Sequence, residues 1–357
     1  MSSTHVQCAL SEAPSHRSYF HVGGHYRNTG AGESQHVMTG QMYVEKLIPV
    51  DGVKHPLPLV FIHGAGQTGS NFLNTPDGRK GWASWLLDQG YMIYIPDTTC
   101  RGRSSHHVSN GPTITYPAEL AEKRWTACRD FQLWPEATLH TQWPGSGRMG
   151  DPVFDAYYAS TVPSLADHAA EQVSMRTAGA CLLDRIGPAI LITHSQGGTH
   201  GWLWADARPE LVKAIVAVEP AGPPFQSTVA KTSNAKRFGI TDVALLYDPP
   251  VDRTDSESPL QTENYEAANG SSYTLQQEPA RRLANIHSIP VLVETGEASS
   301  HAGYDEFTVQ FLRQAGVRVE HLKLAEKGIH GNGHLQFLEM NNLEIIELLE
   351  KWIAKVT

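Results

Sequence analysis

The sequence contains little cysteine and no long apolar segment. Its 357 residues include four cysteines, without a C-x-x-C pair or a spacing typical of a metal site: Cys8, Cys100, Cys128 and Cys181. A domain of this size folds without disulfides, so we interpret them mostly as free thiols in a reducing compartment. The chain has no apolar run of about 18 residues, which argues against a transmembrane helix, and residues 1–18 lack the apolar segment of a signal peptide. We therefore expect a cytoplasmic protein with no membrane partner.

Positive charge is also scarce. The chain has 28 Lys and Arg against 37 Asp and Glu, which gives a formal net charge of -9. Such an excess of acidic groups disfavours nucleic acid and anionic membrane surfaces as partners. The length fits one large α/β domain with insertions, and we take residues 1–357 as a single domain.

One stretch, residues 189–198, organises the rest of the chain. It is a branched apolar run that ends at Ser195 and is followed by Gly197 and Gly198. The run predicts a buried parallel strand, and the residues after it predict a helix. A Ser on a sharp strand-to-helix turn is a nucleophile elbow, which exposes the hydroxyl to a base and to oxyanion donors. Because Ser-x-Gly is common by chance, this interpretation needs support from other parts of the chain.

An upstream strand, residues 58–62, ends in His63-Gly64 and a loop of small residues. In serine hydrolases one oxyanion N–H comes from the loop after the third strand. We assign this donor to Ala65, and we assign the second to Gln196, which directly follows the Ser. A tight strand-to-helix turn without a catalytic role is the alternative.

Apolar strands alternate with helical patterns along most of the chain. This alternation predicts a mostly parallel central sheet with helices on both faces. Two short antiparallel edge strands are expected at 19–26 and 41–49, and a long closing helix at 335–355. The periodic pattern lapses twice, over residues 105–165 and 222–285. A structureless loop of such length is uncommon in a compact domain, so we predict a cap insertion in each region.

Candidate bases and acids follow predicted strand ends, where the sites of such sheets lie. His334 comes late, on a Gly-rich loop after the last strand, as expected for the base, and His330 is its competitor. The acid remains open among three glutamates that follow two different strands: Glu219, Glu294 and Glu297. Asp97 also ends a strand, but an ion pair with Arg101 or Arg103 is its more ordinary role.

Taken together, these residues resemble a known family. The segments His63-Gly64, Ser195 to Gly198, Val218 to Pro223 and Gly331 to His334 are similar to the α/β-hydrolase superfamily. More narrowly, they resemble a group of bacterial and fungal esterases whose acid is a Glu after the sixth strand. The resemblance implies that Ser195 is the nucleophile, His334 the base and Glu219 the acid. Thr193 departs from it, because the superfamily usually has a Gly there.

From this resemblance and the residues we expect a serine hydrolase that cleaves a carboxylic ester or lactone through an acyl-enzyme. No metal and no organic cofactor is implied. The expected partners are a small-molecule substrate and, in a homodimer, a second copy of the chain. Alternatives on the same fold are C–C or amide hydrolysis, a cofactor-free lyase step and a slow-turnover small-molecule receptor.

Overall fold

The computed structural model describes residues 12–30, 35–226, 236–251, 259–266, 270 and 272–357. An eight-stranded sheet runs through the molecule. In chain order its strands are β1 (Ser15–Asn28), β2 (His36–Pro49), β3 (Leu59–Ile62), β4 (Ile93–Pro96), β5 (Ala189–His194), β6 (Val212–Val218), β7 (Val291–Thr295) and β8 (Val319–Lys323). Their order in the sheet is β1-β2-β4-β3-β5-β6-β7-β8.

Among the described residues, six helices of two turns or more accompany this sheet. They are α1 (Trp82–Gln89), α2 (Pro152–Ala159), α3 (His168–Ile186), α4 (Gln196–Ala207), α5 (Asp305–Gln314) and α6 (Asn342–Val356). β3 to β8 pair in parallel, whereas β1 and β2 are antiparallel to each other and β2 is antiparallel to β4. The predicted fold class, α/β with a mostly parallel sheet, is therefore confirmed. In the described residues, no helix is both long enough and apolar enough to span a bilayer.

The sheet is covered on both faces because successive strand residues point in opposite directions. In β5, Leu191 belongs to the buried cluster that contains residues of α3, α4 and α5, whereas Ile190 and Ile192 belong to the cluster that contains residues of α1 and α6. All three side chains are buried. Burial on both faces explains why the central strands appear in the sequence as continuous apolar runs.

Three bounds differ from the expectation. β1 is longer than predicted because its added residues are polar and mostly exposed, a pattern that apolar runs do not detect. β2 begins earlier than predicted, at His36, because residues 36–39 pair with the end of β1. The last helix begins at Asn342, seven residues later than predicted. The side chains of the residues before it form hydrogen bonds with buried polar groups. Gln336 donates to Glu294, and Glu339 accepts from the backbone N–H of Gly333.

The two regions predicted as cap insertions contain short elements. Residues 105–165 include α2, the one-turn helices Ala118–Ala121 and Cys128–Phe131, and a strand pair between Thr113–Ile114 and Ser164–Leu165. The described part of 222–285 includes a hairpin of Thr262–Glu266 with Ser272–Gln276 and a pairing of Tyr247–Asp248 with Arg282–Leu283. Their role as caps remains a prediction.

Candidate active site

Ser195 lies in the turn that joins β5 to α4. Its backbone has φ 53° and ψ -120°, a left-handed φ that is unusual for a residue with a side chain. Such strain is found where the surrounding structure fixes a functional residue. Gly197 permits the turn, because a Cβ at this position would lie 2.2 Å from the carbonyl oxygen of Ile62 on the neighbouring strand.

Thr193, the departure from the family pattern, is accommodated by a glycine one turn into α4. The Thr193 side chain is fully buried. A Cβ added at Gly201 would lie 2.7 Å from Thr193 Cγ2, so the missing side chain on the helix leaves room for the Thr methyl group. The elbow keeps its geometry because the small residue is on the helix instead of the strand.

The structure brings the predicted base and acid into contact. His334 Nδ1 and Glu219 Oε2 are 2.5 Å apart, and both side chains are buried. The bond to a carboxylate places the ring hydrogen on Nδ1, so Nε2 keeps the lone pair that a base needs. Ser195 and His334 line the same cavity.

Glu219 directly follows β6 and leaves the strand with φ 43°. Its carboxylate accepts two more hydrogen bonds, from Gly296 N–H at 2.8 Å and from Ser299 Oγ at 2.6 Å. The carboxyl group of Glu219 therefore makes three hydrogen bonds. These bonds fix the orientation of the carboxyl group, as is needed for a group that orients an imidazole.

Burial dominates the electrostatics of this pair. It raises the pKa of Glu219 to about 8, although the nearby His301 acts in the opposite direction. Burial, together with His301 and Arg124, holds the pKa of His334 well below its ordinary value of 6.5. The neutral imidazole is thus favoured, and the carboxyl group ionises only at a higher pH than an exposed Glu.

The competing candidates bind other partners. Glu294 is buried and binds Gln336 Nε2 at 2.6 Å. Glu297 binds His330, the other candidate base, whose side chain is 61% exposed. Asp97 binds Arg103 in an ion pair, as expected, while Arg101 binds Glu171 instead.

The predicted oxyanion donors border the same cavity as Ser195. This cavity has a volume of about 380 Å³. Its lining combines aromatic, apolar, imidazole and cationic side chains, with contributions from both predicted caps. Among the lining residues are Ala65, Tyr116, Leu120, Trp125, Ser195, Gln196, Lys236, His301, Tyr304 and His334.

Sequence reasoning missed three residues around the base. His301 stacks on His334 with ring centroids 4.6 Å apart, and its Nδ1 lies 3.0 Å from Asp305 Oδ1. His194 Nε2 lies 2.9 Å from the carbonyl oxygen of His334 and so fixes the loop that carries the base. Ser299 has no motif of its own, and only its position after β7 could have marked it.

Within the described residues, one group has the donors for a metal ion. Ligand atoms of Glu219, His301 and His334 all lie within 4.8 Å of one another. The donor set of two imidazoles and a carboxylate suits zinc. However, Glu219 and His334 are hydrogen-bonded to each other, so a cation would have to displace that bond.

Comparisons with known proteins agree with this architecture. The family model described as alpha/beta hydrolase fold matches residues 58–250. A protein of Fungal sp. (strain ATCC 74256) named probable secreted lipase phiG is 46% identical over 343 residues, which is 95% of this chain and 89% of that protein. A solved structure described as a novel bacterial esterase has a TM-score of 0.62 at 22% identity and covers 96% of both chains, a likeness that shows the fold alone.

The predicted cytoplasmic location is wrong, because this fungal relative is named a secreted protein. The thiols are a poor guide to the compartment. Cys100 and Cys128 are unpaired and buried, so burial protects them from oxidation in either environment. Burial also raises the pKa of both thiols, which keeps them unreactive. Cys8 lies outside the described residues.

The family model covers more than half of the chain, and the relative is similar over nearly its full length. The site lies at the carboxyl ends of the parallel strands, where open α/β sheets bind their ligands. The chain therefore belongs to the α/β-hydrolase family.

Proposed function

We propose that Ser195, His334 and Glu219 form a catalytic triad that cleaves a carboxylic ester or lactone through an acyl-enzyme. The observation that carries the proposal is the 2.5 Å hydrogen bond between His334 Nδ1 and Glu219 Oε2, in a cavity that Ser195 also lines. The left-handed φ of Ser195, typical of a nucleophile elbow, supports the same assignment.

The reaction has two halves. In the first, His334 Nε2 takes the hydroxyl proton while Ser195 attacks the carbonyl carbon, and Glu219 stabilises the imidazolium. The N–H groups of Ala65 and Gln196 hold the oxyanion, and the protonated base then gives its proton to the leaving alcohol. In the second half, water attacks the acyl-enzyme through the same base, and the acid is released.

The cavity size favours a small substrate. A volume of about 380 Å³ lies near the lower end of ligand pockets, which range from about 300 to 1,000 Å³. The fungal relative is named a lipase. From the cavity volume, however, we expect short acyl esters and small lactones to be better substrates than long-chain esters. Residues 105–165 would act as the cap, with Tyr116 and Trp125 over the acyl group.

Covalent labelling and a substrate series test this proposal. Wild-type protein should be labelled by a fluorophosphonate and should hydrolyse short chromogenic esters. Ser195→Ala should lose both properties and should remain folded by circular dichroism, because one hydroxyl is removed. We expect kcat to fall by several orders of magnitude, as with other triad residues. A loss of less than about tenfold would exclude a Ser mechanism, and binding without turnover in wild type would favour the receptor alternative.

A further inference from the structure

The oxyanion hole depends on how the peptide between Gly64 and Ala65 is oriented. The carbonyl of Gly64 and the N–H of Ala65 belong to one planar peptide unit, in which the two groups point in opposite directions. A group that holds the carbonyl therefore also sets the direction of the N–H. The turn packs closely against the end of β5, since a Cβ at Gly64 would lie 2.8 Å from His194 Nδ1.

Two donors converge on the carbonyl oxygen of Gly64. Arg101 donates from NH1 at 3.0 Å. His63 Nδ1 also lies 3.0 Å from this oxygen. Because His63 Nε2 accepts the backbone N–H of Thr98 at 3.0 Å, the ring hydrogen is on Nδ1, and His63 is the second donor. The carbonyl is thus fixed by one neutral and one cationic group.

The same guanidinium also reaches the second donor residue. Arg101 NH2 donates to Gln196 Oε1 at 3.0 Å. The Gln196 amide is held in addition by His168, whose Nδ1 lies 3.4 Å from Nε2. One cation therefore contacts the carbonyl of the peptide that carries the Ala65 N–H, and also the side chain of Gln196.

A buried carboxylate holds Arg101 in place. Glu171 Oε2 accepts from Arg101 NH2 at 2.7 Å, and the two side chains are 1% and 0% exposed. Burial acts to raise the pKa of Glu171, but Arg101 and neighbouring imidazoles overcome this effect and leave it at about 2. A buried ion pair contributes little net stability compared with apolar residues of the same volume. Stability therefore does not explain why this charge lies behind the catalytic turn.

We propose that Arg101 is a positioning residue that orients the oxyanion hole by holding the Gly64 carbonyl and the Gln196 side chain. This inference rests on the proposed ester hydrolysis. A cation on the carbonyl also polarises the peptide, which makes the Ala65 N–H a stronger donor. The planar fork of an arginine makes these contacts at once, and a lysine ammonium does not offer the same geometry.

The experiment separates this role from that of the ion pair. We would compare wild type, Arg101→Met and the double variant Arg101→Met/Glu171→Leu. The single variant removes the guanidinium partner of the buried Glu171, with His200 Nε2 still 3.4 Å from its other oxygen, and should lose stability. The double variant removes both charges of the ion pair and should recover stability. In both variants kcat for a short ester should fall by about 10²-fold, the loss typical of one oxyanion donor, with KM nearly unchanged.

A thionoester adds a readout that stability does not affect. Sulfur accepts hydrogen bonds more weakly than oxygen, so a thionoester gains less from the oxyanion hole than the matched ester does. The ratio of the two kcat/KM values, ester over thionoester, should therefore decrease in both Arg101 variants. Arg101→Lys should lie between wild type and Arg101→Met.

Arg103→Met is the matched control. Arg103 is two residues further along the same loop and binds Asp97 and Glu45. Arg103→Met should lose stability but should keep the kcat of wild type and its ratio of kcat/KM values for ester over thionoester. Recovery of kcat together with stability in the double variant would overturn the inference. If wild type shows no Ser195-dependent hydrolysis, both the proposed function and this inference fail, whereas an unchanged kcat in Arg101→Met overturns the inference alone.

Discussion

Glu219 and Glu294 follow neighbouring parallel strands, both are fully buried, and they contact different partners. Glu219 binds His334, and Glu294 binds Gln336. The two residues are adjacent, since the N–H of Glu219 donates to the carbonyl oxygen of Glu294 at 2.9 Å. Burial and residue type therefore do not distinguish the candidate acid from its neighbour.

The backbone distinguishes them. Glu294 is still within β7, so its side chain follows the alternation of the strand and points to one face of the sheet. Glu219 is one residue beyond β6 and has φ 43°, which takes its side chain out of that alternation and toward the strand ends. Ser195 likewise directly follows its strand with a left-handed φ. Both predicted catalytic residues thus lie where the chain leaves the sheet under strain.

The largest expected effect is the difference between Glu219→Gln and Glu294→Gln in catalytic efficiency. Glu219→Gln keeps the shape but removes the charge that orients and stabilises the imidazolium, so kcat should fall by about 10⁴-fold, as for the acid of other triads. Glu294→Gln and Glu297→Gln should lose less than about tenfold, because neither side chain contacts the base. Ester hydrolysis by folded variants, checked by circular dichroism, measures the difference. The opposite ranking would assign the acid to the later strand.

The fold was accessible from the sequence because β3 to β7 are buried almost throughout and appear as short apolar runs between helical patterns. Ser195 and His334 followed from chain order and local glycines. The residues that complete the site have no such local signal. Ser299 contacts Glu219 from 80 positions away, and Arg101 meets Gln196 from 95 positions away.

The acid remained open in the sequence for a physical reason. Glu219 and Glu294 each come at the end of a buried apolar run, and the backbone angles that separate them leave no mark in composition. Glu219 was favoured by its position directly at a strand end before Pro220 and by the resemblance to esterases with a Glu after the sixth strand. The structure agrees with that resemblance in placing Glu219 after β6 and next to His334.

The pH profile should report Glu219 and not Glu294. The reactive form needs a neutral His334 and an ionised Glu219, and burial raises the pKa of Glu219 to about 8. In wild type, kcat/KM should therefore increase as the pH rises through about 8, because kcat/KM follows the ionisation of the free enzyme. Glu294→Gln should keep this rise. The residual activity of Glu219→Gln should lack it, since the titrating carboxyl group is gone.

A profile that is already flat between pH 6 and 9 in wild type would contradict this expectation. The comparison needs a substrate for which chemistry limits the rate. A matched series with Ser195→Ala at each pH would correct for background hydrolysis, which rises with hydroxide.

The smallest expected effect concerns the stability of Glu294→Gln. Burial, followed by the charges of Glu219 and Asp305, raises the pKa of Glu294 well above 4.5. The folded protein therefore binds this proton more tightly than the unfolded chain does. The resulting stabilisation is fully present below pH 4.5, and it is lost as the pH rises through the folded pKa. Since Gln does not titrate, Glu294→Gln should gain free energy of unfolding relative to wild type as the pH increases.

Urea denaturation at pH 5 and pH 9 measures this change. We expect the free energy of unfolding of Glu294→Gln, relative to that of wild type, to be higher at pH 9 than at pH 5. Glu297→Gln is the control, because its carboxylate lies near the surface against the exposed His330 and its removal should change the pH dependence little. If Glu294→Gln loses stability equally at both pH values, the carboxyl group serves mainly as a hydrogen-bond partner of Gln336. The two neighbouring glutamates would then differ in their electrostatics as well as in their contacts.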